Sequence, residues 1–179
     1  MIAHGHSSII YKVVDPNTTE RFALKIKQTW SDDMYEKILN EVMLLRELSS
    51  NYNIIKLIDY EILDNSSKIL TELGTEGTLQ DYVNSLRSPL SESEILSFVR
   101  QIANALLPMH EKLLPLAHRD IKLDKILMFG KTLKLCDLGS CSTLTLEPRF
   151  YTNLFRLVDA KTKMEQMLII EKNTALEYR

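Results

Sequence analysis

The sequence predicts an α+β fold in two unequal lobes, a small β-rich N-terminal lobe and a mainly helical C-terminal part. Three observations carry this. Strand-like runs crowd the first 72 residues, a single helical segment interrupts them, and a capping box opens a long amphipathic helix only after residue 90. A chain of 179 residues suffices for one ordinary domain or for two small lobes sharing a cleft. With 45% apolar and 26% charged residues it belongs with globular rather than disordered chains.

The elements follow in order. Residues 8–14 and 21–27 read as strands joined by the turn signal Asp15-Pro16-Asn17. From Asp32 to Leu48, apolar residues at Ile38, Val42, Leu45 and Leu48 keep helical spacing, with Ser31 or Asp32 available as the cap. Residues 54–62 and 67–72 read as two more strands, joined by Asp64-Asn65-Ser66. Residues 73–77 then form a hinge, so the lobes are expected to divide into 1–75 and 76–179. Ser91-Glu92-Ser93-Glu94 is a capping box. It opens a helix whose stripe of Ile95, Phe98, Val99, Ile102 and Leu106 reads as core. Pro108 near its end is unexpected, because an interior proline costs roughly 3 kcal/mol.

The bulk properties narrow the function classes. A net charge of −2 gives no case for nucleic acid or an anionic membrane as default partner. No apolar run approaches the roughly 20 residues of a membrane span. The N-terminus lacks a charged-then-apolar signal pattern, so a cytoplasmic protein is expected. Cys136 and Cys141 are too few and too badly spaced for a metal knuckle. They are expected to be reduced, with Cys136 buried ahead of Asp137.

Chemistry concentrates in His118-Arg119-Asp120-Ile121-Lys122, followed 17 residues after Asp120 by Asp137-Leu138-Gly139. These strings, with the apolar run Ile126-Leu127-Met128 between them, resemble the catalytic loop and metal-binding loop of a protein kinase. The chemistry accounts for the residue types. One Asp accepts or orients the proton of a substrate hydroxyl, a Lys neutralises the transferring phosphoryl group, and a second Asp holds a divalent metal against the ATP phosphates. Asp120 and Lys122 are thus the candidate catalytic residues, and Asp137 the candidate Mg²⁺ ligand.

The signature continues upstream. Ala23-Leu24-Lys25 resembles the Val-Ala-Ile-Lys strand, whose Lys grips the α- and β-phosphates. Ile10, 15 residues earlier, stands where the resemblance places the apolar residue that closes over adenine. The loop ahead of it, Ala3-His4-Gly5-His6-Ser7-Ser8-Ile9-Ile10, keeps only the second glycine of G-x-G-x-x-G-x-V. Gly5 and Ser8 are candidate phosphate contacts, although Ser resists the φ > 0 conformations that Gly allows. Glu41, on the predicted helix, is placed to pair with Lys25. The bland alternative is one more solvated helix charge beside Glu36, Lys37 and Glu47.

The chain resembles the eukaryotic serine/threonine protein kinases along nearly its whole length. That resemblance implies a bilobal kinase fold, ATP and Mg²⁺ as cofactors, and a protein substrate. It makes Thr71, just before Glu72, the residue gating the back of the adenine pocket, and Glu72, Leu73 and Leu127 further candidate cofactor contacts. It also implies that Leu45, Leu57, His118 and Leu138 stack between the lobes. The narrower likeness is to the Numb-associated, or adaptor-associated, kinase group. It rests on Met109-His110 through Asp120, on Leu135-Cys136-Asp137-Leu138-Gly139-Ser140, and on Glu171 to Arg179. This implies work in clathrin-adaptor trafficking.

Three departures matter. Lys125 stands where kinases carry the Asn that ligates a second Mg²⁺, and an ammonium is a donor only. Pointing inward it repels a metal; swung to solvent it leaves Asp137 one ion. Ala175 replaces a Thr that bonds the catalytic Asp and Lys. The sequence stops before the Ala-Pro-Glu motif, so the expectation is an incomplete helical lobe with apolar surface left bare. The reading is therefore an ATP-dependent serine/threonine kinase impaired by Lys125, with a nucleotide-binding pseudokinase or interaction module as the alternative. Residues 140–173 read as the activation segment. Either a phosphate received by Arg119 orders it, or a rough apolar stripe within Val158 to Ile170 does so by packing.

Overall fold

The computed structural model describes residues 3–4, 8–28, 31–63, 65–112 and 115–143. Gly5, Ala175, the C-terminal likeness at 171–179 and the stripe within 158–170 lie outside them, as does all of the activation segment beyond Thr143.

The β-branched and aromatic runs of the first half pair into one antiparallel sheet of five strands, ordered β1-β2-β3-β5-β4. These are β1 (Ala3–His4), β2 (Ser8–Val14), β3 (Arg21–Gln28), β4 (Leu57–Leu63) and β5 (Ser66–Glu72). The turn after β2 closes as expected: the Asp15 carboxylate accepts from Asn17 N at 2.8 Å. Helix α1 (Asp32–Glu47) is capped by the Ser31 side chain and buries Ile38, Glu41, Val42, Leu44 and Leu45.

One strand begins later than the sequence suggested. Residues 54–55 do not join the sheet: Ile55 N donates to Leu135 O at 3.0 Å, and Ile54 bridges Leu135 in parallel. Buried Asn53 fixes this course by donating its amide to Leu133 O at 2.8 Å and accepting Leu135 N at its own carbonyl. The chain between α1 and β4 is thereby tied to the second lobe.

That lobe opens with α2 (Leu79–Ser85), an element the sequence reading did not include. Its signal was present as a capping box between Thr78 and Asp81. Helix α3 (Glu92–His110) starts at the expected box of Ser91 and Glu94. Its buried face is Ile95, Phe98, Ala105 and Met109, with Ile102 and Leu106 partly buried. Val99 corrects the predicted stripe: it is exposed, because the buried line runs through positions 95, 98, 105 and 109 and leaves 99 on the flank.

Pro108 sits inside α3 without breaking it. A proline there cannot donate to the carbonyl four residues back, that of Asn104. The Asn51 side chain supplies the missing donor to Asn104 O at 2.8 Å. After α3 come β6 (Leu116–Ala117), a 3₁₀ turn at Leu123–Lys125, the hairpin β7 (Ile126–Phe129) with β8 (Thr132–Leu135), and β9 (Ser142–Thr143), which pairs with β6. Among the described residues one apolar core runs from α1 through β5 and α3 to β8 and Leu138. Of the four residues expected to stack between lobes, Leu45, His118 and Leu138 are buried and Leu57 is partly buried against that core.

Candidate active site

The strand register builds the first wall of the cleft. Ala23, Lys25 and Lys27 alternate along β3 and so share a face. Ile10 pairs with Lys25, Ser8 with Lys27, and Thr71 with Ala23, which brings these predicted contacts onto that same face. Lys25 Nζ bonds Glu41 Oε1 at 2.6 Å and Asp137 Oδ1 at 2.6 Å. The expected clamp between β3 and α1 is thus present, and the solvated alternative for Glu41 is excluded by its 1% exposure.

Lys27 was not among the candidates. Its Nζ bonds Glu41 Oε2 at 2.7 Å, so two lysines hold the two oxygens of one buried carboxylate. The signal was the period of two along β3, which puts Lys27 beside Lys25. Gly139 seals this cluster by close approach: a Cβ there would lie 3.0 Å from Glu41 Oε2 and 3.3 Å from Lys27 Nζ.

The far wall comes from the loops around β6, β7 and β8. Arg119 and Asp137 hold left-handed backbone conformations, φ 65° and 64°, which for non-glycine residues cost roughly 1–3 kcal/mol each and gather at functional sites. Asp120 N donates to buried His118 Nδ1 at 3.3 Å. Lys122 Nζ lies 3.7 Å from Asp120 and 3.4 Å from Asp124. Arg119 donates to Thr143 O at 2.9 Å, tying the catalytic-type loop to β9.

Lys125 settles between its two readings by pointing inward. Its Nζ bonds Asp137 Oδ2 while Lys25 holds Oδ1. The 3₁₀ turn and Cys136 aim it: Lys125 O accepts from Cys136 N at 2.9 Å and from Cys136 Sγ at 3.2 Å. Cys136 is half-buried rather than buried, whereas Cys141 is buried; burial pushes both thiols up to about 12.

The hinge side is apolar and tight. Leu127 lies under Gly74, where an added Cβ would be 3.2 Å from the Leu127 Cβ. Gly77, at φ 78°, accepts from Met128 N at 3.0 Å. Leu73 follows β5, partly buried. The Glu72 carboxylate is committed to Lys134 Nζ at 2.6 Å and Lys56 N at 2.7 Å, so its side chain is not offered to a ligand.

Electrostatics follow from these contacts. Burial alone would raise the Asp137 carboxyl, but Lys25 and Lys125 outweigh it and hold it well below the usual carboxylate range. Burial works to discharge Lys25 and Lys125 too, yet their carboxylate partners win and both are raised. For Lys27 burial wins over Glu41 and lowers it, and burial lowers His118 as well.

Residues 1–157 match the protein kinase domain family. The chain belongs to the protein kinase family. Relatives include serine/threonine-protein kinase PAK 1 of Mus musculus, 30% identical across 82% of this chain and 26% of the relative. Serine/threonine-protein kinase STE20 of Candida glabrata is 33% identical across 80% of the chain and 15% of its own length. A Dictyostelium discoideum protein named "probable serine/threonine-protein kinase" is 30% identical across 81% of the chain and 19% of its length. The chain spans about a quarter or less of the length of these relatives. By family it is a serine/threonine protein kinase domain, and that family implies ATP. The described residues offer what ATP needs: a buried, charged Lys25 and a tight apolar hinge floor. They do not fit Mg²⁺ as arranged. Both oxygens of Asp137 are held by ammoniums, and among the described residues no three His, Cys, Asp or Glu side chains gather into a metal site. No helix among them is long and apolar enough to cross a membrane.

Proposed function

We propose that this chain is an ATP-binding serine/threonine kinase domain with lobes 1–75 and 76–179 that transfers a phosphoryl group slowly to a protein hydroxyl. ATP supplies the γ-phosphoryl group. Lys25, steadied by Glu41, holds the phosphates; Ile10, Ala23, Thr71, Leu73 and Leu127 enclose the base; Gly5 and Ser8 line the phosphate side. Asp120 takes the proton of a Ser or Thr hydroxyl as its oxygen bonds to the γ-phosphorus. The bond to the β–γ bridging oxygen breaks, ADP leaves, and Lys122 offsets charge on the moving group. The observation that carries this reading is Lys25 bonded at 2.6 Å to both Glu41 and Asp137.

The test is phosphoryl transfer from labelled ATP to a generic Ser/Thr peptide. Transfer should be measurable and absent in Asp120→Asn, and Lys25→Ala should abolish nucleotide binding. Lys125→Asn should raise transfer about tenfold or more, the scale on which groups around a metal act. Transfer that survives Asp120→Asn would defeat the assignment.

The Lys125 contact with Asp137 favours a second reading, a nucleotide-binding interaction module that transfers little or nothing. Under the narrower likeness to the Numb-associated kinases, either form would act in the cytoplasm on clathrin-adaptor partners. Retention of an adaptor complex by the chain, independent of Asp120, would support that assignment.

A further inference from the structure

Charges alternate through the cleft in one unbroken chain, Lys27–Glu41–Lys25–Asp137–Lys125. Three ammoniums and two carboxylates sum to +1. The three groups of the family motif, Lys25, Glu41 and Asp137, sum to −1. Lys27 and Lys125 therefore add two positive charges, the formal charge of one divalent cation. Lys125 delivers its share at Asp137 Oδ2, an oxygen a metal would need. An ammonium has no lone pair to give a metal, and its positive charge repels a divalent cation.

We infer that the cleft binds a nucleoside triphosphate free of divalent metal, with Lys125 and Lys27 standing in for the cation. The inference rests on the ATP reading above and narrows it from metal–ATP to uncomplexed ATP. The counter-charge is tethered: Lys125 sits at the end of a 3₁₀ turn, and Lys27 is locked on a buried carboxylate beside Gly139. Its position is fixed before the ligand arrives, so little ordering is needed on binding.

Calorimetric titration of the 179-residue chain with ATP, in excess EDTA and in excess Mg²⁺, tests this. The expected result is binding in EDTA at least as tight as in Mg²⁺. Lys125→Asn, which restores a metal ligand, should reverse the preference, with Mg²⁺ tightening binding about tenfold, equivalent to 1.4 kcal/mol. Lys125→Met, which supplies neither charge nor ligand, should lose about tenfold in EDTA without recovery by Mg²⁺. Thermal unfolding establishes that each variant is folded, and the unmodified chain decides the question even if one is not. Binding that appears only with Mg²⁺ overturns the inference and leaves the ATP reading standing. Both variants binding like the parent in EDTA also overturns it. No binding in either solution overturns both.

Discussion

The two ends of the cleft carry the same kind of bond with opposite consequences. At the β3–α1 end, Lys25 and Lys27 share Glu41, whose side chain is 2% exposed. At the loop end, Lys125 meets Asp137, and both side chains are about a quarter exposed, 24% and 25%. The first bond completes a grip that the family motif calls for. The second places an ammonium where that motif calls for a metal ligand. The difference teaches that a lysine's effect in this cleft is set by the carboxylate it faces. Facing Glu41 it is locked to the buried carboxylate of α1; facing Asp137 it takes up the oxygen a metal would use.

The sharpest way to break this comparison is to remove the shared carboxylate. Glu41→Ala leaves Lys27 buried without its partner and Lys25 with Asp137 alone. Breaking a buried pair from one side costs about 3–5 kcal/mol, and urea unfolding should show a loss in that range. Loss of less than about 1 kcal/mol would put the grip on a par with an exposed pair. Lys125→Met should cost much less, about 1 kcal/mol, because water screens that pair.

Gly139→Ala is expected to act at the grip from the other side of the cleft. The new methyl would press Glu41 Oε2, which Lys27 prevents from moving aside. Overpacking of this kind costs about 1–3 kcal/mol. An unchanged urea midpoint would mean that the carboxylate is free to shift and that the two lysines do not lock it.

Much of this was legible in the sequence where local signals agree. Strand β2 was read to the residue, and α1 and the start of α3 followed from their caps. The Lys25–Glu41 pair was readable from the resemblance of both segments to the kinase signature, and Glu41 lies on the buried face of α1 as that pairing requires. Lys125 was not readable, because its direction depends on Asp137, whose left-handed backbone turns the carboxylate toward it. Pro108 looked like a fault because the donor it denies the Asn104 carbonyl comes from Asn51, 53 residues before that carbonyl. The late start of β4 likewise depends on Asn53 meeting β8, a contact between lobes.

Buried His118, which accepts from Asp120 N at the loop end, gives the comparison a pH signature. Burial lowers its pKa, so below about 6.5 the unfolded chain takes up a proton that the folded chain refuses. Stability should therefore fall as pH drops from 7 to 5.5. Asp137 is depressed instead, so its contribution persists above about 3.9 and disappears only in stronger acid. His118→Phe should flatten the slope in thermal unfolding between pH 7 and 5.5. An unchanged slope in that variant would move the effect elsewhere.

The bond between Lys125 and Asp137 is the contact on which the contrast rests, and a double-mutant cycle measures it directly. Lys125→Met, Asp137→Asn and the double variant would be unfolded in urea at neutral pH. Direct contact predicts a coupling energy of about 1 kcal/mol, within the range found for touching residues. Additive effects, within about 0.3 kcal/mol, would contradict it and return Lys125 to solvent.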